Sequence, residues 1–460
     1  MQQEQKSKKM STGKKVLWAA IALAAAAAVF FAGFFTYYFT LPAGARSLLW
    51  MKDKIDSEYY EDVDDDDFWQ AAIDGATSLL DQYSAYYTAD EYDVVVDSSR
   101  GISQGMGLSF FSKSNKVAEA ALGSPAFYAG IETGIFVTGI GKTEDSIENT
   151  FTVSEKSGET VYDYGRLSEL VSGFAAGDTA YLRVSTVSGH ETAEENCKIV
   201  PVILARYTES YVLYAADGEA YMCTYDGDSG TWTNVSEYVS VDEKVSGDTA
   251  YIRLTSFYGN AVGEFGRAAQ AYKEDGKHSL LLDLRNDGGG SVSVMQGIAA
   301  YLMKGAESDS EPVMRAVYGN GREEIYLADG DHYDEYFAGS EIYVAANRNT
   351  ASASEALMGV MLSYDTIEYG NIFITDLSGG TQAARTYGKG IMQTTFRNPL
   401  TSEAVKLTTA TIHWPDEAST CIHDKGITTS DGAVPTQGAK TFGDYGDPEL
   451  VWILSQVAAA

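Results

Sequence analysis

Cysteine is nearly missing from this chain of 460 residues: three occur, at Cys197, Cys223 and Cys421, an odd set without metal-ligand spacing. A disulfide framework or a zinc site therefore has little to build on, and a Cys197–Cys223 bridge is the one pairing left open. Proline is sparse at 8 residues, and with 45% hydrophobic and 21% charged residues this excludes a collagen-like or largely disordered chain. Cations are in deficit: Lys and Arg number 33 against 65 Asp and Glu, a net charge of −32. A field of that sign repels phosphate backbones, so nucleic acid is not expected as a partner. The length itself suggests about three folding units with a sizeable core.

What is present begins with five lysines, Lys6, Lys8, Lys9, Lys14 and Lys15, against the single acid Glu4. Residues 16–41 then carry no charge and are rich in Ala, Phe, Leu and Val. As a helix this run is about 39 Å long, enough for a hydrocarbon core of ~30 Å. The lysines precede it, so the positive-inside rule predicts residues 1–15 as a cytoplasmic tail, 16–41 as a transmembrane signal anchor and the rest outside. The rival is a cleaved signal peptide ending near Ala43-Gly44-Ala45, although h-regions usually span only ~7–15 residues.

Residues 46–100 read as a helical N-terminal region. Helical spacing of Phe68, Trp69, Ala72, Ile73, Ala76, Leu79 and Leu80 extends the pattern across 48–88, with Asp67 as the expected N-cap. Residues 101–204 change to short apolar runs between glycines, with a helix at 164–174. Residues 205–248, rich in Tyr, Asp, Gly and Thr, predict a connecting or inserted β-rich segment. From 249 to 436 strands and helices alternate: strands at 250–254, 279–284 and 342–346, helices at 260–274 and 353–363. Residues 437–460 form a C-terminal segment.

Four stretches are candidates for chemistry. Gly227-Asp228-Ser229-Gly230 looks like a nucleophile loop, but the only upstream histidine, His190, sits in a turn-like stretch, so a hairpin tip is the better reading. Asp283-Leu284-Arg285-Asn286-Asp287-Gly288-Gly289-Gly290 runs a buried strand into three glycines; Ser293 breaks a dinucleotide fingerprint, and an oxyanion hole remains available. Asn349-Thr350-Ala351-Ser352-Ala353-Ser354-Glu355 places a serine at a strand-to-helix turn, where it is either an N-cap or a nucleophile. Tyr387-Gly388-Lys389-Gly390-Ile391-Met392-Gln393 sets a lysine between glycines in an apolar stretch.

Together with Tyr251-Ile252-Arg253-Leu254-Thr255-Ser256-Phe257, Lys406-Leu407-Thr408-Thr409-Ala410 and Lys425-Gly426-Ile427-Thr428, the last three of these stretches resemble, in order, the carboxyl-terminal processing proteases, the S41 serine peptidases. Upstream, Leu80-Asp81-Gln82-Tyr83-Ser84-Ala85-Tyr86-Tyr87 resembles the family's helical lead-in, and Gly105-Met106-Gly107-Leu108 with Ser124-Pro125-Ala126-Phe127 resembles an embedded PDZ domain. The resemblance covers about 80% of the chain.

It implies a mixed α/β fold: an S41 peptidase core over 249–436, a PDZ-like domain inserted at 101–204, and an N-terminal helical segment with its transmembrane helix. It places the nucleophile on Ser352, the general base on Lys389, the lysine-positioning glutamine on Gln393, and the oxyanion donors on the N–H groups of Ala353 and Gly289 or Gly290. Gly105, Met106, Gly107 and Leu108 would cradle a peptide carboxylate. The 37 positions from Ser352 to Lys389 exceed the family's usual spacing, and the surplus is expected as a surface loop within 371–383. The implied function is a membrane-anchored, extracytoplasmic serine endopeptidase that cleaves proteins near their C-termini. Its alternative is a catalytically silent PDZ-type scaffold that binds C-terminal tails. Protein or peptide substrates and the membrane are the expected partners, with room for a homo-oligomer; neither metal nor organic cofactor is implied.

Overall fold

The computed structural model describes residues 12–239, 245, 247–306, 308, 310–436 and 444–459, which fall into two compact units, 1–81 and 82–460. Lys6, Lys8 and Lys9 of the basic tail, and parts of the 205–248 and 437–460 segments, lie outside the described residues.

In the first unit the uncharged run is one helix, Thr12–Thr40, long and apolar enough to cross a membrane. Pro42 starts a second helix, Ala43–Glu58. The helical pattern expected across 48–88 is then interrupted, because Asp64 caps a separate helix, Asp65–Thr77, by accepting the Asp66 N–H at 2.8 Å. Asp67 is thus not the cap; it stands in the first turn, where a carboxylate complements the helix dipole. Lys52 bonds Asp56 on its own helix and Asp65 on the next.

The second unit opens with an extended segment where a helical lead-in was expected. Ala85–Tyr87 is a strand, in register with Lys406, Val405 and Ala404. Tyr86 and Tyr87 favour a pleated surface, and cross-strand pairing outweighs the helical spacing further upstream. Thr88 and Glu91 then form a reciprocal cap on helix Ala89–Ser99.

Residues 101–204 build a core of their own from Met106, Val117, Ile135, Ile140, Leu182 and Val202. A four-stranded antiparallel sheet, ordered Cys197–Ile203, Thr179–Ser185, Phe136–Gly141 and Glu148–Asn149, accompanies helix Arg166–Ser172. All three cysteines are free, so the Cys197–Cys223 bridge does not form.

An eight-stranded sheet carries the rest. Its order is Ser229–Asn234, Glu219–Asp226, Val212–Ala216, Thr249–Leu254, Ser279–Asp283, Glu341–Ala346, Ile372–Ile374 and Val434–Pro435, antiparallel over the first four strands and parallel over the last five. The β-rich 205–248 segment is therefore the antiparallel wing of this sheet, and Gly227-Asp228 turns its outer hairpin. Alternation explains why the central strands read as unbroken apolar runs. Leu280 and Leu282 enter the core beneath helices Ala261–Glu274, Val292–Ala299 and Ala353–Ser363, while Leu281 and Ala345 pack against Ile453 and Leu454 of the C-terminal helix Pro448–Val457. Each fully buried leucine contributes about 1.5–3 kcal/mol. Arg285 fastens that helix by bonding Asp283 (2.7 Å), Asp447 (2.6 Å) and Glu449 (3.0 Å).

A five-stranded antiparallel sheet centres on Ala404–His413, which pairs with Ala85–Tyr87, Pro312–Tyr318 and Ile391–Arg397. The surplus loop is shorter than expected, since Ile372–Ile374 belongs to the large sheet. Beyond it the buried Asp376 accepts N–H bonds from Ser378 (2.8 Å) and Gly380 (2.6 Å), pinning a turn whose Leu377 is exposed.

Candidate active site

The site lies where the parallel strands Ser279–Asp283 and Glu341–Ala346 end and their loops meet, the crevice in which open α/β sheets usually hold ligands. After Ala346, Thr350 Oγ1 locks the loop by accepting the Asn347 N–H (2.9 Å) and donating to the Leu284 carbonyl (2.8 Å). The chain then turns into helix Ala353–Ser363 through Ser352, which adopts φ 60° and ψ −114°. A non-glycine residue there stores roughly 1–3 kcal/mol of strain, which only a rigid surrounding sustains.

Glu355 supplies much of that rigidity. Its carboxylate is fully buried and accepts from the Ser352 N–H (3.1 Å), Thr386 Oγ1 (2.5 Å), the Gly388 N–H (2.8 Å) and the Lys389 N–H (2.8 Å). Burial raises its pKa above the usual carboxyl range, and these hydrogen bonds offset only part of that rise. One carboxylate thus fixes both the serine turn and the lysine segment, although residues 352 and 389 lie far apart in sequence.

The glycine loop closes against the serine from the other side. Gly289 has φ +92°, and a Cβ there would lie 2.8 Å from the Ala351 carbonyl oxygen, the Ala353 nitrogen and Ser352 Cβ alike. No other residue type fits without moving the helix head. The Gly289 N–H donates to Asp287 Oδ1 (2.8 Å), and its carbonyl accepts from the Phe257 N–H (3.1 Å). Gly290, at φ +154°, lies so close to Phe257 that a Cβ would come within 2.5 Å of its carbonyl oxygen. Asp287 has no exposed surface, and burial pushes its carboxyl pKa well up.

Ser352, Ala353, Gly289, Gly290, Lys389 and Gln393, drawn from three separate stretches, all line one cleft of about 880 Å³. Met295, Met314, Ile391 and Met392 give it an apolar wall. Gln393 Nε2 donates to Thr408 Oγ1 (3.1 Å), and Lys389 Nζ stands 4.9 Å from the centre of the Tyr83 ring. The structure places Gly105, Met106, Gly107 and Leu108 elsewhere, in a groove of about 600 Å³ with Phe110, Val171 and three acids, Asp97, Glu119 and Glu209. Burial, then the nearby Glu119, pushes the Glu209 carboxyl up to about 7. His190 stacks on Tyr162 at 4.0 Å, and Ser229 begins a hairpin strand, so neither belongs to the cleft. Glu355 and Asp287 both stand in the candidate stretches, but the sequence assigns neither a role; their signals were a glutamate three residues after the serine and an acid directly before the glycines.

Residues 248–430 match the model of peptidase family S41. The chain is 26% identical over 378 residues to a Staphylococcus saprophyticus protein described as "Probable CtpA-like serine protease", covering 81% of this chain and 62% of that protein. This chain thus spans about three fifths of that relative's length. It is 32% identical over 145 residues to the chloroplastic C-terminal processing peptidase of Tetradesmus obliquus, across 31% of this chain and 27% of that one. Among solved structures, one from Bacteroides fragilis NCTC 9343 described as "Putative S41 protease" superposes with a TM-score of 0.50 at 12% identity, covering 89% of this chain and 96% of that chain. At that identity the likeness concerns the fold alone.

Proposed function

We propose that this chain, whose residues 248–430 match the model of peptidase family S41, is a serine endopeptidase working through Ser352 and Lys389. The observation that carries the reading is the strained Ser352 turn, closed in by Gly289 and tied through Glu355 to the segment that brings Lys389 into the same cleft.

In this mechanism Ser352 Oγ attacks the scissile carbonyl while the neutral Lys389 amine takes its proton and later passes it to the leaving amine. At an ordinary pKa of ~10.4 only about one lysine in 2,500 is neutral at pH 7, so the site has to favour the free amine. Gln393 positions that amine. The oxyanion faces the Ala353 N–H, which as the first residue of its helix has no intrahelical acceptor. Gly290 is the better second donor, because the Gly289 N–H is committed to Asp287. Water, activated by the same lysine, then releases the acyl group.

The substrate reading follows from residues 101–204 as a PDZ-like domain. An extended tail would add to the Leu108–Phe110 strand, its carboxylate held by the Gly105–Leu108 backbone, so cleavage falls near protein C-termini. The Thr12–Thr40 helix is read as a single-pass anchor that leaves the catalytic domain outside the cytoplasm. The test is to incubate the full-length protein, in detergent, with an unstructured protein and read product masses. Cleavage near the C-terminus, lost in Ser352→Ala, is the expected result; equal cleavage by Ser352→Ala overturns the assignment.

A further inference from the structure

We propose that Tyr83 is a positioning residue for the base: its ring face holds the Lys389 side chain at the cleft and sets the pH at which the amine becomes free. This rests on the Ser352/Lys389 reading above. Lys389 Nζ lies 4.9 Å from the Tyr83 ring centre, within the range of a cation over an aromatic face. The tyrosine is held from both sides. Its Oη donates to Tyr387 Oη (3.1 Å), two residues before the lysine. The next residue, Ser84, accepts the Thr408 N–H at its Oγ (3.1 Å), and Thr408 is also the residue that accepts from Gln393. Pairing of Ala85 with Lys406 fixes the register of the whole segment. One short stretch therefore aligns with the lysine, the tyrosine two residues ahead of it and the partner of the glutamine. Burial, with Tyr387 adding, pushes the Tyr83 phenol up to about 12, so the ring stays neutral across the working range.

The chemistry has a definite sign. The negative face of an aromatic ring attracts an ammonium and is indifferent to a neutral amine, so Tyr83 stabilises the resting, charged lysine. It orders a long flexible stem near Ser352, and in doing so raises the pH at which the base is released. Other titratable groups around the pair are Tyr387 on the same segment, Glu355 bonded to the Lys389 N–H, Asp424 and His423 on the neighbouring turn, and Lys406 across the cleft. A change confined to ring electrons leaves all of these in place.

The experiment replaces Tyr83 by phenylalanine and by phenylalanines of increasing ring fluorination in the full-length protein, with kcat/KM measured against pH. Tyr83→Phe keeps the ring face and should keep the acid limb of the profile. Successive fluorines, which weaken the quadrupole at nearly constant shape, should move that limb stepwise to lower pH, by about half a unit in total. Tyr83→Leu should lower kcat about tenfold with KM little changed, as expected when the base loses its place. An active enzyme that loses activity in Ser352→Ala, yet whose acid limb ignores fluorination, overturns the role of Tyr83 and leaves the dyad standing. Undiminished activity in Ser352→Ala overturns the dyad, and this inference with it.

Discussion

Glu355 shows what a single residue can decide at this site. Its carboxylate accepts four donors at once, from Ser352, Thr386, Gly388 and Lys389. Glu355→Gln keeps the shape but turns an amide NH2 toward N–H groups, so at least one donor loses its acceptor, at about 1.5–3 kcal/mol for a bond to a charged group. We predict a roughly 10–100-fold fall in kcat/KM, with melting by circular dichroism shifted down a few degrees; wild-type kinetics in this variant would contradict the role given to Glu355. Ser352, Lys389 and Gln393, which line one cleft, stood out in the sequence through two short stretches, one holding the serine and the other both the lysine and the glutamine. Glu355 did not, since a glutamate at the third helical position looks like an ordinary capping residue. Tyr83 was hidden for another reason: nothing local links it to a lysine some three hundred residues away.

At the scale of elements the site depends on how tightly the glycine loop meets the helix head. Gly289→Ala would put a methyl group 2.8 Å from the Ala351 oxygen and the Ala353 nitrogen, both backbone atoms that cannot swing away. The variant should lose on the order of 1–3 kcal/mol of stability. Displacing Ser352 by about 1 Å should cost about a hundredfold in activity. Denaturant melts beside initial rates check both; a stable, fully active variant would show that the loop yields. Elements with a long apolar signature were predictable, including Ser279–Asp283, Glu341–Ala346, Ala261–Glu274 and Ala353–Ser363. Short ones were not. Ala85–Tyr87 is three residues long and takes its form from a partner beyond residue 400, and the break before Asp65 turns on which of four adjacent aspartates caps the helix.

For the molecule as a whole, the acidic chain and the long apolar helix Thr12–Thr40 lead to a prediction about location. Full-length protein should stay with membranes through high-salt and carbonate washes, since apolar burial is not screened by ions, and protease added to intact spheroplasts should remove the large domain. Release by salt alone would contradict an anchor. Where the active machinery lies in this unit is a claim about one proton, and the pH dependence of cleavage by the full chain tests it most directly. Wild-type kcat/KM should rise with pH through an ionisation well below ~10.4 as the Lys389 amine becomes free. Lys389→Arg keeps the charge but cannot give up its proton under these conditions, so it should be as inactive as Lys389→Ala at every pH. Substantial cleavage by Lys389→Arg would mean that another group takes the Ser352 proton, and the Ser352/Lys389 account would be wrong.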